Sequence, residues 1–389
     1  MSEPQTTGLT LPRDRYIPLL DGLRFLAILP VLFWHSGLRG LRSFSNQFNL
    51  DLANDHLLLP NGHIGVFIFF FISGFVIAAP AFAKGVPQEP LRFYRNRLWR
   101  LYAPYILVVI ACFLMLLVSG RQVLHADGAP ADPSYLYTSV LASAFFQHQL
   151  FLQEHPVLNP PLWSLEIEMQ FYLVAPFLLG WLLKFKSAAQ FAGLLFLSCL
   201  MCGVIGAADM TSFRLDFTLL NYLYLFILGI IMCRFHPEMK AWNIAKSFRF
   251  DLLFLAGLSL LIATGYFEEL RHTPMWVAIM RPFAHVAAVS AIYVGALYGR
   301  ASNAVFTGSF AITIGLACYS IYLIHVPFME VVNKFVLSKF VLPNEFANEA
   351  LAIVILCALS VLAGLVFYHL VERHFMTRRE PAPKALQPA

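Results

Sequence analysis

The sequence predicts an all-α, polytopic membrane protein. Three observations carry that expectation. Hydrophobic residues fill 59% of the 389 positions and charged residues only 13%, about half the charge usual in a soluble protein. Mean hydropathy is +0.68. The apolar residues gather in runs of about 20, the length that crosses a bilayer. Phe alone takes 37 positions, a load that lipid-facing surfaces carry easily.

The runs fall in order at 18–38, 63–83, 102–119, 135–152, 163–183, 188–208, 217–234, 250–270, 276–298, 307–330 and 349–371. The run at 135–152 is the weakest, because "FFQHQLF" places Gln147, His148 and Gln149 inside it. It is expected to be an interfacial or half-inserted helix. About ten spans remain, and an even number leaves both termini on one side. The positive-inside rule chooses that side. Lys84, Arg92, Arg95, Arg97 and Arg100 lie in one loop; Arg234, Lys240, Lys246 and Arg249 lie in another; Arg373, Arg378, Arg379 and Lys384 follow the last span. With Arg13, Arg15, Arg24, Lys184, Lys186 and Arg300 they account for most of the 27 Lys and Arg on the same side. Both termini are therefore expected to be cytoplasmic.

The N-terminal "MSEPQTTGLTLPRDRY" is polar and shows no short apolar core before a small-residue cleavage site. The first span is expected to stay in the mature protein. The chain divides into a cytoplasmic tail at 1–15, one transmembrane domain at 16–375 and a disordered cytoplasmic tail at 376–389. The formal net charge of +5 is small, and nucleic acid is not an expected partner; the lipid bilayer is. Cys199 and Cys202 have CxxC-like spacing inside an apolar run, with no second pair to complete a metal site. Buried small residues explain them better, and no metal is expected.

Four stretches hold residues that an ordinary membrane anchor does not need. In "LLDGLRFLAILPVLFWHSGL", Arg24 and His35 stand eleven positions apart, within about 20° of three full helical turns, so they share a face about 16 Å apart. Asp21 sits one turn before Arg24 and can pair with it. Pro30, between them, can bend the helix. The bland alternative is a topology anchor and a hydrogen-bonded core histidine, but intramembrane ionisable groups usually line a pathway. In "RNRLWRLYAPY", Arg97 and Arg100 share a face, which suits phosphate as well as plain anchoring. In "NPPLWSLEIEMQFYLVAPFLL", Glu166 and Glu168 point to opposite sides, Glu168 with Ser164 and Tyr172, Glu166 with Trp163 and Gln170. One carboxylate near a helix start is ordinary; two imply an internal cavity. In "CYSIYLIHVPF", Tyr322 and His325 can share a face, although interfacial aromatics are common. Gly74, in "GVFIFFFISGF", admits a close neighbouring backbone.

The order of these motifs carries a resemblance. LDGLRxxA…H, GVxxFFxxSGF, FYRxRxxRxYxPY, WSLxxExQFYL, YSxYLxHxP and a closing YxxxExxF, from Leu20 to Phe375, resemble the membrane acyltransferase-3 family. The resemblance maps its Arg-(ten residues)-His pair onto Arg24 and His35. Its RxxR maps onto Arg97 and Arg100, its glutamate onto Glu168, followed by Gln170 and Tyr172, and its late histidine onto His325. His374 stands where Pro is common, and Phe67 where many members carry a polar residue. The resemblance implies a stand-alone O-acyltransferase, without a fused extracytoplasmic hydrolase-like domain. It implies a donor acyl-CoA, most simply acetyl-CoA, as substrate and no permanently bound cofactor. It also implies a sugar-containing acceptor, such as a polysaccharide, lipid-linked glycan or small glycoside, and a bacterial cytoplasmic (inner) membrane location. In this reading His35 is the base, Glu168 orients the acceptor or the imidazole, and Arg24, Arg97 and Arg100 meet the donor's phosphates. A transporter or flippase using the intramembrane His and Glu is the alternative; it calls for inverted-repeat halves, which the sequence does not show.

Overall fold

Apolar runs of bilayer length leave the backbone one economical choice, a helix that satisfies its own N–H and C=O groups. The computed structural model follows that rule. It describes residues 17–48, 62–120, 123–125, 129–207, 215, 218–268, 274–337 and 345–376, side chains at 38–48, 266–268 and 345–349 excepted. Among the described residues the only β pairing is an isolated bridge between Leu124 and Pro130. The expected tail at 1–15 lies outside the described residues, and so does the expected disordered tail beyond Met376.

The helices are α1 (Pro18–Phe48), α2 (His63–Lys84), α3 (Pro90–Ser119), α4 (Pro133–Ala144), α5 (His148–Leu152), α6 (Trp163–Leu182), α7 (Ala188–Ala207), α8 (Leu223–Ala241), α9 (Phe248–Glu268), α10 (Met275–Tyr298), α11 (Ala301–Phe306), α12 (Ser309–Leu316), α13 (Cys318–Phe335), α14 (Glu345–Phe367) and α15 (Arg373–Phe375). Their ends follow local chemistry. Pro90 opens α3, where its missing N–H costs nothing. Gly85 and Gly120 close α2 and α3 in the left-handed region, at φ 67° and 60°. Asp132 caps α4 by accepting from Ser134 N–H at 2.8 Å.

Among the described residues, eight helices are long and apolar enough to cross a membrane, or nine when α12 and α13 count as one bent span. This is an integral membrane protein. About ten spans were expected, and the difference is α8. Its second half carries Arg234, His236, Glu238 and Lys240, so only its first half is apolar. The run at 307–330 also departs from expectation. It breaks into α12 and α13, bent by 67°. The residues at the break, Leu316 to Cys318, continue the apolar run, so the sequence there does not announce the bend. The run at 135–152 divides into α4 and α5, parted by Phe146 at a left-handed φ of 56°. Neither piece is among the candidate spans.

Two close backbone approaches fix the bundle. A Cβ on Gly74 would overlap the Phe226 carbonyl, and one on Gly229 would overlap the Phe71 carbonyl, so α2 and α8 pack nearly backbone to backbone. Around that seam Phe226 stacks on Phe171 at 4.1 Å and on Phe70 at 4.7 Å. A Cβ on Gly22 would overlap the Phe306 carbonyl, and one on Gly315 the Asp21 carbonyl. The start of α1 is thus clamped by the end of α11 and by α12. Further along, α1 packs on α2, α13 and α14. It runs unbroken through Pro30, so Arg24 and His35 stay on one continuous helix.

Candidate active site

A histidine in an apolar helix must find hydrogen-bond partners inside the protein. His35 finds two. Its Nδ1 lies 2.8 Å from the Val31 carbonyl, one turn back, and 3.2 Å from His325 Nε2 on α13. His325 repeats the arrangement, with Nδ1 2.8 Å from the Tyr322 carbonyl. A carbonyl only accepts, so in the neutral rings both Nδ1 atoms carry the proton. The His325 Nε2 lone pair then accepts from His35, and the basic nitrogen of His35 is Nε2. The rings meet edge to face at 4.9 Å and 64°, and His325 is wholly buried.

The sequence places Arg24 three turns from His35. The structure adds that α13 follows the same direction: Cys318 lies in the electrostatic surroundings of Arg24, and His325, two turns further along α13, meets His35. Arg24 donates to the buried Asp21, so the pairing expected from their spacing is present. Arg97 from α3 and Glu168 from α6 also lie within range of Arg24.

Glu168 is held by two hydroxyl donors. Ser73 Oγ on α2 and Tyr172 OH, one turn along α6, each lie 2.6 Å from Oε1. Arg97 sits over the Tyr172 ring at 5.8 Å and over Phe93 at 5.9 Å, a cation–π arrangement. Glu168 therefore belongs with the guanidinium groups, where its described bonds and charged neighbours lie. Tyr322, on α13, donates to the Pro161 carbonyl at 2.7 Å. Its proton being committed, Ser164 Oγ donates to the Tyr322 oxygen at 2.7 Å. Gln170 is placed elsewhere: its Oε1 accepts from Leu219 N–H at 2.8 Å and anchors the turn that leads into α8. Cys199 and Cys202 are buried thiols, and Cys202 donates to Asn221 O at 3.0 Å.

One site residue went unassigned in the sequence. Glu372 closes a π-helical turn, Tyr368–Glu372, and is wholly buried. Its Oε2 accepts from Ser320 Oγ at 2.6 Å and Ser320 N–H at 3.2 Å. Its charge neighbours are Arg100 and Arg24. Among the described residues, neither the buried Arg100 Nε nor the buried Glu372 Oε1 has a hydrogen-bond partner. The inner cluster therefore sets Asp21, Glu168 and Glu372 against Arg24, Arg97 and Arg100. The only signal in the sequence was an acidic residue in the closing YxxxExxF pattern. π-Turns do favour functional sites, but they cannot be read from residue types.

A second polar group lies around the start of α6. Glu166 Oε2 accepts from Gln149 N–H at 2.9 Å, and Gln149 Nε2 lies 3.1 Å from His155 Nδ1. Asn159 Nδ2 donates to the Leu323 carbonyl at 2.8 Å. His148 Nδ1 lies 3.2 Å from the Glu154 carbonyl, and burial holds this histidine below its ordinary range. The ring of Trp163 is bounded by His63 at 5.1 Å and Tyr222 at 5.6 Å. The two glutamates of α6 thus serve different groups, as their opposite directions on the helix require.

Comparison with known proteins supplies a name for this arrangement. The chain is 32% identical over 200 residues to the "Putative peptidoglycan O-acetyltransferase YrhL" of Bacillus subtilis (strain 168), covering 49% of this chain and 28% of that protein. It is 26% identical over 373 residues to the "Putative membrane-bound transacylase BcsY" of Komagataeibacter xylinus, covering 94% and 84%. It is 25% identical over 350 residues to the "Putative O-acetyltransferase SACOL0978" of Staphylococcus aureus (strain COL), covering 85% of this chain and 54% of that one. The chain thus spans about half or less of the first and third relatives' length. No solved structure matches it. The family described as "Acyltransferase domain" matches residues 17–369, nearly the whole of the described fold, and the chain belongs to that family, the membrane acyltransferase-3 proteins.

Proposed function

We propose that the protein is a membrane O-acyltransferase that moves an acyl group, most simply acetyl, from acyl-CoA to a hydroxyl of a sugar-containing acceptor. The observation that carries this reading is the fixed tautomer of His35. Its Nδ1–H is engaged by the Val31 carbonyl and by His325, which makes Nε2 the base. Nε2 takes the proton of the acceptor hydroxyl as its oxygen attacks the thioester carbonyl. The tetrahedral intermediate then collapses and expels the CoA thiolate. The imidazolium returns the proton to that sulfur, so no net proton is taken up. In the charged state His35 keeps both Nδ1 contacts, and the lone pair of His325 faces the new charge.

The arginine cluster supports the donor side. Arg24, Arg97 and Arg100 come from two helices, and guanidinium groups match phosphate oxygens. Their carboxylate partners keep them poised in a low-dielectric setting, where an unpaired cation is costly. Glu168 acts here as a positioning residue, through Tyr172 and Arg97. The Lys and Arg distribution favours a cytoplasmic face for this end and for both termini, in a bacterial inner membrane. The slender arm of CoA then reaches along α1 and α13 towards His35. Purified protein in lipid nanodiscs, supplied with acetyl-CoA and bacterial envelope glycan, is expected to give acetylated glycan, and the His35→Ala protein none. Equal acetylation by the two proteins would overturn the reading.

A further inference from the structure

Among the described residues, a cavity of about 350 Å³ opens between the start of α3 and α15. That volume is in the range of small-molecule clefts, about 300–1,000 Å³. Its walls are Arg95, Asn96 and Trp99 from α3, and His374, Phe375 and Met376 from α15 and the residue after it. Trp99 meets the Phe375 ring edge to face at 5.8 Å and is 66% exposed, so much of the indole is open to a further ring. An interfacial anchor accounts for an exposed Trp, but not for a cavity that sets it among a guanidinium, an amide and an imidazole.

The cavity adjoins the arginine cluster. Asn96 stands four positions before Arg100, one turn nearer the start of α3 on the same face. His374 stands two positions after Glu372, whose charge neighbours are Arg100 and Arg24. A donor whose phosphates meet Arg97 and Arg100, with its slender arm directed inward, turns its other end towards this cavity. The walls match the chemistry of that end. A flat base stacks on an indole. The Asn96 amide carries a donor and an acceptor side by side, the pattern that pairs with the edge of adenine. Arg95 supplies a planar cation for a phosphate, and His374 a ring N–H. A lipid headgroup or a free phosphate would use the cations and leave the indole and the amide idle.

We propose that this cavity is the adenosine subsite of the donor, with adenine on Trp99 and Asn96 and the 3′-phosphate on Arg95 and His374. The proposal rests on the donor reading given above and adds where the nucleotide end is held. It also separates two tasks on α3. Arg97 and Arg100 meet the phosphates shared by every form of the donor, while Arg95 and Trp99 read the nucleotide. A pantetheine thioester without its nucleotide is then a poor donor.

The test uses the full chain in phosphatidylcholine nanodiscs. Titration calorimetry gives the affinities for CoA, for dephospho-CoA, which lacks the 3′-phosphate, and for 4′-phosphopantetheine, which lacks the adenosine. Trp99→Leu is expected to weaken CoA about tenfold and to leave 4′-phosphopantetheine unchanged. Arg95→Gln is expected to weaken CoA about tenfold and dephospho-CoA much less. A photoreactive 8-azidoadenine form of CoA is expected to label the wild type within 95–99 or 374–376, mapped by mass spectrometry, so a misfolded variant does not remove the test. Labelling elsewhere, wild-type affinity in both variants, or equal losses for CoA and the truncated ligands overturns the proposal. So does a label that glycerol 3-phosphate displaces as well as CoA does, which assigns the cavity to lipid headgroups. Labelling in the cavity without acetyl transfer sustains the subsite and overturns the reaction, and transfer with the label elsewhere does the reverse, which keeps the two failures apart.

Discussion

His35 Nδ1 and His325 Nε2 lie 3.2 Å apart across 290 positions of sequence. The contact joins α1 to α13. It also fixes which nitrogen of His35 is basic. In the proposed reaction His325 is a positioning residue and His35 the group that touches the reacting atoms.

Replacing His325 by Ala is expected to lower kcat about 10–100-fold, the worth of one hydrogen bond to a group that becomes charged. Donor KM should stay at its wild-type value. The pH–rate profile is expected to move, because the surroundings of the His35 imidazolium have changed. A purely structural His325 would lower the yield of folded protein and leave the pH profile in place. Steady-state kinetics across pH separates the two outcomes.

Arg97 and Arg100 are expected to act through donor binding. Arg97→Ala should raise acyl-CoA KM about 10–100-fold, as the loss of charge-assisted hydrogen bonds predicts. Arg100→Lys keeps the charge and loses the planar fork, so a smaller rise is expected. Isothermal titration with CoA alone reads the effect without turnover. Unchanged affinity in both proteins would assign the pair to membrane anchoring.

Glu372→Ala leaves Ser320 N–H and Oγ without their acceptor and Arg100 without its carboxylate neighbour. A loss of about 1–3 kcal/mol is expected for buried groups left unsatisfied. Glu372→Gln keeps an oxygen for Ser320 and should lose less. Thermal melting of the detergent-solubilised proteins gives the order, and a Gln variant as unstable as the Ala variant contradicts it.

Gly74→Val forces α2 and α8 apart, because its side chain meets the Phe226 backbone. Overpacking of this kind costs about 1–3 kcal/mol. Folded protein recovered by size-exclusion chromatography should fall sharply. The same change at Gly193, where an added Cβ meets nothing, is expected to be tolerated.

The residues themselves show why the sequence revealed some of this and not the rest. Helical period is a local property, so the shared face of Arg24 and His35, the Asp21–Arg24 pair and the opposite directions of Glu166 and Glu168 could all be read directly. Close approach at Gly74 could be read for the same reason. Partners brought by tertiary packing could not. Ser73 on Glu168, Ser320 on Glu372 and His325 on His35 join positions 95, 52 and 290 residues apart. The bend between α12 and α13 left no mark, since the residues at the break, Leu316 to Cys318, continue the apolar run. Hydropathy placed a full span over α8, while its charged second half falls outside the membrane criterion. Gln170, grouped with Glu168 by the motif, turned to the backbone of Leu219, because two residues along a helix is a change of side.

The central claim is that His35 mediates transfer of an acyl group from CoA to a sugar hydroxyl. The most direct measurement is mass spectrometry of a defined pyranoside incubated with acetyl-CoA and purified protein in nanodiscs, wild type beside His35→Ala. The wild type is predicted to add one acetyl group to a hydroxyl and to release one CoA thiol for each. The variant should lose at least about 10²-fold in rate, the contribution of a general base, while still binding CoA. An acetylated product formed equally by both proteins, or none from a folded wild type that carries the sugar across the membrane unchanged, contradicts it.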